Sequence, residues 1–140
     1  MSPRNTRTGS VLEAMILPAL RQGGYTYTYT TQQVIGKRFD GGRHIVDAIA
    51  EKDGQKHLIS LKWQQVGGTA EQKVPFEVIC LAEAVMTSQF GKAYLVLGGE
   101  GWSLRNFYTG GGLKDHFVHA DKVDILTLEA FVAKANQGRL

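Results

Sequence analysis

The chain has 140 residues, 43% hydrophobic and 21% charged, which allows one real core and excludes a disordered or fibrous protein. A formal net charge of +3 suits a polyanionic partner without demanding one. The single cysteine, Cys80, cannot form an internal disulfide, no apolar run reaches the roughly 20 residues that cross a bilayer, and Arg4 and Arg7 precede no signal-type apolar segment. The expectation is a soluble cytoplasmic protein with a packed thiol.

In chain order, residues 1–9 read as a flexible basic arm and 10–140 as one domain. Ser10 and Glu13 have the spacing of a capping box, opening a helix whose apolar positions are Leu12, Met15, Ile16 and Leu20. Pro18 predicts a kink in it, and Gly23-Gly24 its end. Tyr25 to Thr30 alternates aromatic and β-branched residues, a strand pattern. Gly36 to Gly42, with Lys37 and Arg38, reads as a loop. His44 to Ala50 and His57 to Gln64 are strands joined by a tight turn at Asp53-Gly54. After Gly67-Gly68 a long helix opens, at Thr69 in a second capping box with Gln72 or at Pro75, and runs to about Gln89. Ala93 to Leu97 is a short buried strand. Residues 102–119 carry no readable element, and Gly110-Gly111-Gly112 must be loop. Val123 to Leu126 reads as an edge strand, and Thr127 caps a last helix with Leu128, Phe131, Val132 and Ala135 on one face. The fold class is α/β (α+β).

The third predicted strand carries the chemistry. Its period of two sends Ile59, Leu61 and Trp63 to one face and Ser60, Lys62 and Gln64 to the other. That leaves a lysine among polar neighbours on a strand whose opposite face is apolar, as at the floor of a wet cleft; a plain solvated face has the same pattern. In the strand before it, Asp47 interrupts an apolar run, and a carboxylate there is costly unless paired or metal-bound. The hairpin brings Asp47 beside Ser60 and Lys62. An ordinary Asp–Lys ion pair would look the same.

A helix with a glutamate, a strand aspartate, a hairpin, a strand ending in x-Lys, a helix and a strand together resemble the PD-(D/E)xK nuclease superfamily, which includes restriction enzymes, Holliday-junction resolvases and homing endonucleases. The resemblance covers residues 10–97. It implies a restriction-endonuclease-like αβββαβ core, a central mixed sheet flanked by helices, here extended by a C-terminal strand and helix. It also implies an Mg²⁺-dependent DNA endonuclease, with Mn²⁺ able to substitute, acting as a homodimer or higher symmetric oligomer. Asp47 becomes the principal metal-binding carboxylate, Lys62 the catalytic lysine, Gln64 the polar residue that follows it, and Glu13 the helical glutamate that some members add. Ser60 stands where an acid is usual; it could hold a metal-bound water, and Glu13 or Glu77 would then supply the missing charge. Lys37, Arg38, Arg43, His44 and Lys73 would hold backbone phosphates, with Thr69 at an exposed helix start and Gln32 and Gln33 near bases or sugars. Because Ser60 departs from the pattern, a non-catalytic nucleic-acid-binding protein that keeps this fold remains the alternative. His116 and His119 lack the cysteines of a structural zinc site.

Overall fold

The computed structural model describes residues 6–29, 33–88 and 90–140. The chain enters through one continuous helical run: α1 (Thr6–Val11), a π-helical turn (Leu12–Ile16) and α2 (Leu17–Gln22). This corrects the capping-box reading, because Ser10 lies inside α1, which is already helical at Thr6, within the stretch expected as an arm. In the wide turn the Leu17 N–H reaches back to Leu12 O, which seats Pro18 in the first turn of α2, where its missing N–H costs least.

Next come β1 (Thr26–Thr28), β2 (Gln33–Lys37), β3 (Arg43–Val46), β4 (Ala48–Lys52), β5 (Gln55–Trp63), α3 (Ala70–Thr87), β6 (Lys92–Gly98), α4 (Arg105–Thr109), β7 (Val123–Thr127) and α5 (Leu128–Asn136). Two of these depart from expectation. The stretch read as loop from Gly36 begins as strand β2, with Gly36 at φ 133° taking up a register shift against β3. The single strand expected over 44–50 is two, broken at Asp47. Thr30 and Gln89, at the ends of predicted elements, lie outside the described residues.

Five strands form a mixed sheet in the order β1-β4-β5-β6-β7, antiparallel on the β1-β4-β5 side and parallel from β5 to β7; β2 and β3 form a separate antiparallel ribbon. Asp53 and Gly54, at φ 53° and 80°, make the two-residue turn from β4 to β5, a conformation that matches the twist of the strands it joins. Parallel β5 and β6 need a crossover, and α3 supplies it. Thr127 caps α5 as predicted, its Oγ1 accepting from the Ala130 N–H at 3.1 Å.

Pleating splits the core in two. Leu58, Leu95 and Leu97 pack with Val46 and with Val74, Val78 and Leu81 of α3. Ile59, Leu61, Tyr94 and Val96 pack on the other face with Leu12, Ile16 and Leu20 and with Phe131 of α5. The sheet is thus covered by helices on both sides, with α3 on the face that carries Ser60 and Lys62. Cys80 is a buried thiol in α3, its pKa pushed up to about 11 by burial and then by the charge of Glu77. No helix among the described residues is long and apolar enough to cross a membrane.

One buried polar spot bears on stability. His57 Nδ1 and Tyr94 Oη are both buried without a hydrogen-bond partner among the described residues. Burial, then the charges of Lys92 and Lys134, hold the His57 pKa below its ordinary 6.5. The unfolded chain therefore takes up a proton that the folded chain resists, so this contribution is complete above about pH 6.5 and is lost as pH falls towards the folded value. Thermal melts are expected to drop between pH 7.5 and 5, and the drop to shrink in His57→Gln; equal drops would exclude His57 as the cause.

Candidate active site

Asp47 sits at the bend where the chain leaves the β2–β3 ribbon and enters the main sheet. Its N–H donates to Ile59 O at 3.0 Å, and its Oδ2 accepts the Leu61 N–H at 2.7 Å, so backbone and carboxylate are both fastened to β5. The β4–β5 ladder begins with Ala48 against Ile59, and at Asp47 the alternation breaks, since Val46 packs with α3 while Ala48 packs on the opposite face. Lys62 lies one pleat beyond Ser60, on the face turned to α3. Asp47 and Lys62 both line one cleft of about 460 Å³.

Ser60, 2% exposed, donates its hydroxyl to Glu77 Oε1 at 3.3 Å, across the gap between β5 and α3. Glu77 lies two helical turns into α3, past Ala70 and Lys73, which line the cleft as well. Burial pushes the Glu77 carboxyl up, but neighbouring His44, the Lys62 charge and the Ser60 hydroxyl together outweigh it and hold the pKa below its ordinary value. Glu77 is thus an anion at neutral pH. That charge contributes stability above pH 4.5 and loses it as pH falls through the folded pKa.

The ribbon closes the cleft. Arg38, Arg43 and His44 line it; Lys37, exposed, does not. Arg38 is held at 3.2 Å by Asp40 and lies 5.5 Å from the Phe76 ring, while Phe39 packs on Phe76 with centroids 5.2 Å apart, so the ribbon tip rests on α3. His44 is 3% exposed, and its Nε2 stands 3.7 Å from Glu77 Oε1, within range of a charge contact and too far for a hydrogen bond.

Several expected site residues are elsewhere. Glu13 is exposed and does not line the cleft, so of the two glutamates named as substitutes for the missing acid the fold brings in Glu77. Gln64 is buried and tied to structure: its Oε1 accepts the Ala70 N–H at 3.0 Å and its Nε2 donates to Gly101 O at 2.7 Å. It thereby caps α3, which Thr69 does not, since Thr69 makes no side-chain cap bond and is exposed outside the cleft. Gln32 lies outside the described residues, and of Gln33 only the backbone, in β2, is described.

Five participants went unread. Thr8 and Trp63 line the cleft, and Arg7 lies 5.4 Å from the Trp63 ring. Gly98, beside that ring on β6, has no room for a side chain: a Cβ there would come within 2.6 Å of it. Glu71, 8% exposed, accepts from the Ser103 amide and hydroxyl and from Gln64, locking the start of α3 to the loop after β6. Only Glu71 had a signal, an acid in the first turn of a predicted helix, and that ordinarily marks an exposed position.

Hard oxygen donors flank this cleft, and Mg²⁺ needs only one or two carboxylates because it keeps several waters. Asp47 and Glu77 meet that requirement. Among the described residues no group of three or more His, Cys, Asp or Glu side chains is placed to hold a metal ion.

The model of the PD-(D/E)XK nuclease superfamily domain matches residues 4–139, and the chain belongs to that superfamily. The restriction-endonuclease-like fold is therefore as expected. A solved structure of a protein of unknown function, AF1548, superposes with a TM-score of 0.50 at 11% identity, over 80% of this chain and 54% of that one. That likeness concerns the fold alone, and this chain spans about half the length of AF1548. No curated protein matches the chain.

Proposed function

We propose that the chain is a divalent-metal-dependent endonuclease that hydrolyses phosphodiester bonds in DNA. The observation that carries the reading is the meeting of Asp47, Lys62 and Glu77 in one cleft whose rim is formed by Arg38, Arg43 and Lys73. In this reading Asp47 and Glu77 hold the cation, Mg²⁺ or Mn²⁺. When bound, such an ion neutralises phosphate charge and lowers the pKa of a coordinated water. The protein's own residues do the rest. The Leu61 amide fixes the direction of Asp47, and the Ser60 hydroxyl fixes that of Glu77. Lys62, flanking the same phosphate position, offers a point charge where the transition state gathers negative charge. The rim cations orient the backbone without reading sequence. Two strands call for two such sites, so the reading includes a symmetric homodimer.

The test is nicking of supercoiled plasmid with Mg²⁺, with Mn²⁺, with Ca²⁺ and with EDTA. Cutting in the first two that stops in EDTA is expected. Salt-sensitive DNA binding without any cut would instead favour the non-catalytic binder that Ser60 left open.

A further inference from the structure

We infer that Trp63 is a stacking platform for an unpaired base beside the reacting phosphate, which makes the substrate a DNA strand already unpaired at the cut, as at a branch or fork, and not intact duplex. This deepens the endonuclease reading above and rests on it. β5 outruns its antiparallel neighbour: the β4–β5 ladder ends at Ala48 against Ile59, while Leu61, Lys62 and Trp63 continue past it beside β6. The cleft lies along that open edge and reaches both faces of the sheet. Lys62 and Glu77 line it on the α3 side, Trp63 and Thr8 on the α1 side. A strand laid along the edge with a phosphate at Asp47 and Lys62 turns its neighbouring nucleoside towards Trp63, one residue or about 3.3 Å further along β5.

The surroundings of this tryptophan leave it a face to offer. Gly98 is its partner in the β5–β6 ladder, and the ring lies so close that a Cβ there would come within 2.6 Å of it, so the indole is seated on bare backbone. The ring packs against the core yet stays half-buried, with exposed Arg7 over it at 5.4 Å. Trp102 shows the structural use of the same residue type: it is 7% exposed, and its Nε1 donates to Gly98 O at 2.7 Å. An accessible indole beside arginine, in a cleft rimmed by Arg38, Arg43 and Lys73, joins the two features that hold single strands, a π-face for the base and positive charge for the backbone. An incoming base takes the place of Arg7 on the ring, and the guanidinium moves to the adjoining phosphate. Intact duplex cannot make this contact cheaply, because a paired base must first be turned out of its stack, and that cost is least where the strand is already unpaired.

The experiment is tryptophan fluorescence of the full chain titrated, in Ca²⁺, with a short DNA duplex and with the same duplex carrying a single-stranded branch. Stacking on a base quenches indole emission, and Trp102, which does not line the cleft, supplies a constant background. Branched DNA is expected to quench the wild type, and intact duplex to quench it far less. In Trp63→Leu the quench should disappear, and affinity for branched DNA should fall at least about fivefold more than affinity for duplex, the scale of one lost base stack. Trp63→Phe, which keeps an aromatic face, should recover most of that affinity. A wild type whose emission branched DNA leaves unchanged overturns the inference and needs no variant to fold. So does equal weakening of both DNAs in Trp63→Leu, or a Trp63→Phe that binds no better than Trp63→Leu. In those cases, with plasmid still nicked in Mg²⁺, Trp63 only closes the core beside Gly98 and the endonuclease reading stands. A wild type that binds neither DNA and nicks no plasmid removes that reading, and the inference with it.

Discussion

Replacing Asp47 with asparagine is expected to reduce metal-dependent cleavage by at least about a hundredfold, because it removes charge that holds the cation, and Lys62→Ala to do the same, because it removes the positive charge offered to the reacting phosphate. The sharper comparison is between two glutamates. Glu77→Gln keeps shape and loses the anion that sits against Ser60 and His44, so it should match Asp47→Asn. Glu13→Gln alters an exposed side chain outside the cleft and should leave kcat/KM within about twofold. Cleavage rates on one plasmid substrate, with melting curves to certify folding, decide it. If Glu13→Gln is the crippled variant and Glu77→Gln the silent one, the site has been assembled from the wrong helix.

The second large effect is on stability. Glu71→Ala strands the Ser103 amide and removes a buried carboxyl group that several donors converge on. Losing such a network costs about 3 kcal/mol, which lowers Tm by roughly 10 °C in a domain of this size. Gln64→Ala should fall in the same range, since it leaves the first amide of α3 without its acceptor. The two substitutions disturb one network, so the double variant should lose less than the sum. An unchanged Tm in Gln64→Ala with a collapsed kcat would instead make Gln64 part of the chemistry, as the family resemblance implies.

What could be read before folding was periodic or punctuated. The alternation of β5 assigned Ser60 and Lys62 to one face and Ile59 and Leu61 to the other, and the fold keeps that division. Asp53-Gly54 set the hairpin, and with it the register that brings Asp47 up to β5, where its carboxylate accepts the Leu61 N–H. What misled was local chemistry overruled by tertiary context. Ser10 and Glu13 have capping-box spacing, yet the run continues through them because Leu12, Ile16 and Leu20 bury along its whole length. Thr69 has cap spacing too, but Gln64 reaches the first amide of α3 from the strand before it. Gly36 looked like a loop residue, whereas its positive φ lets β2 bulge and still pair with β3. The choice between Glu13 and Glu77 was not legible at all, since it depends on which helix the sheet presents to Ser60.

The break at Asp47 has a mechanical consequence. The β2–β3 ribbon shares no ladder with the five-stranded sheet, and the chain passes from one to the other at that residue. Because the Asp47 amide and carboxylate are both tethered to β5, the position of the carboxylate is set by the sheet and not by the ribbon. The arginines thus take their footing from a ribbon whose tip rests on α3, while the aspartate takes its own from the sheet, like a tooth set in a different jaw.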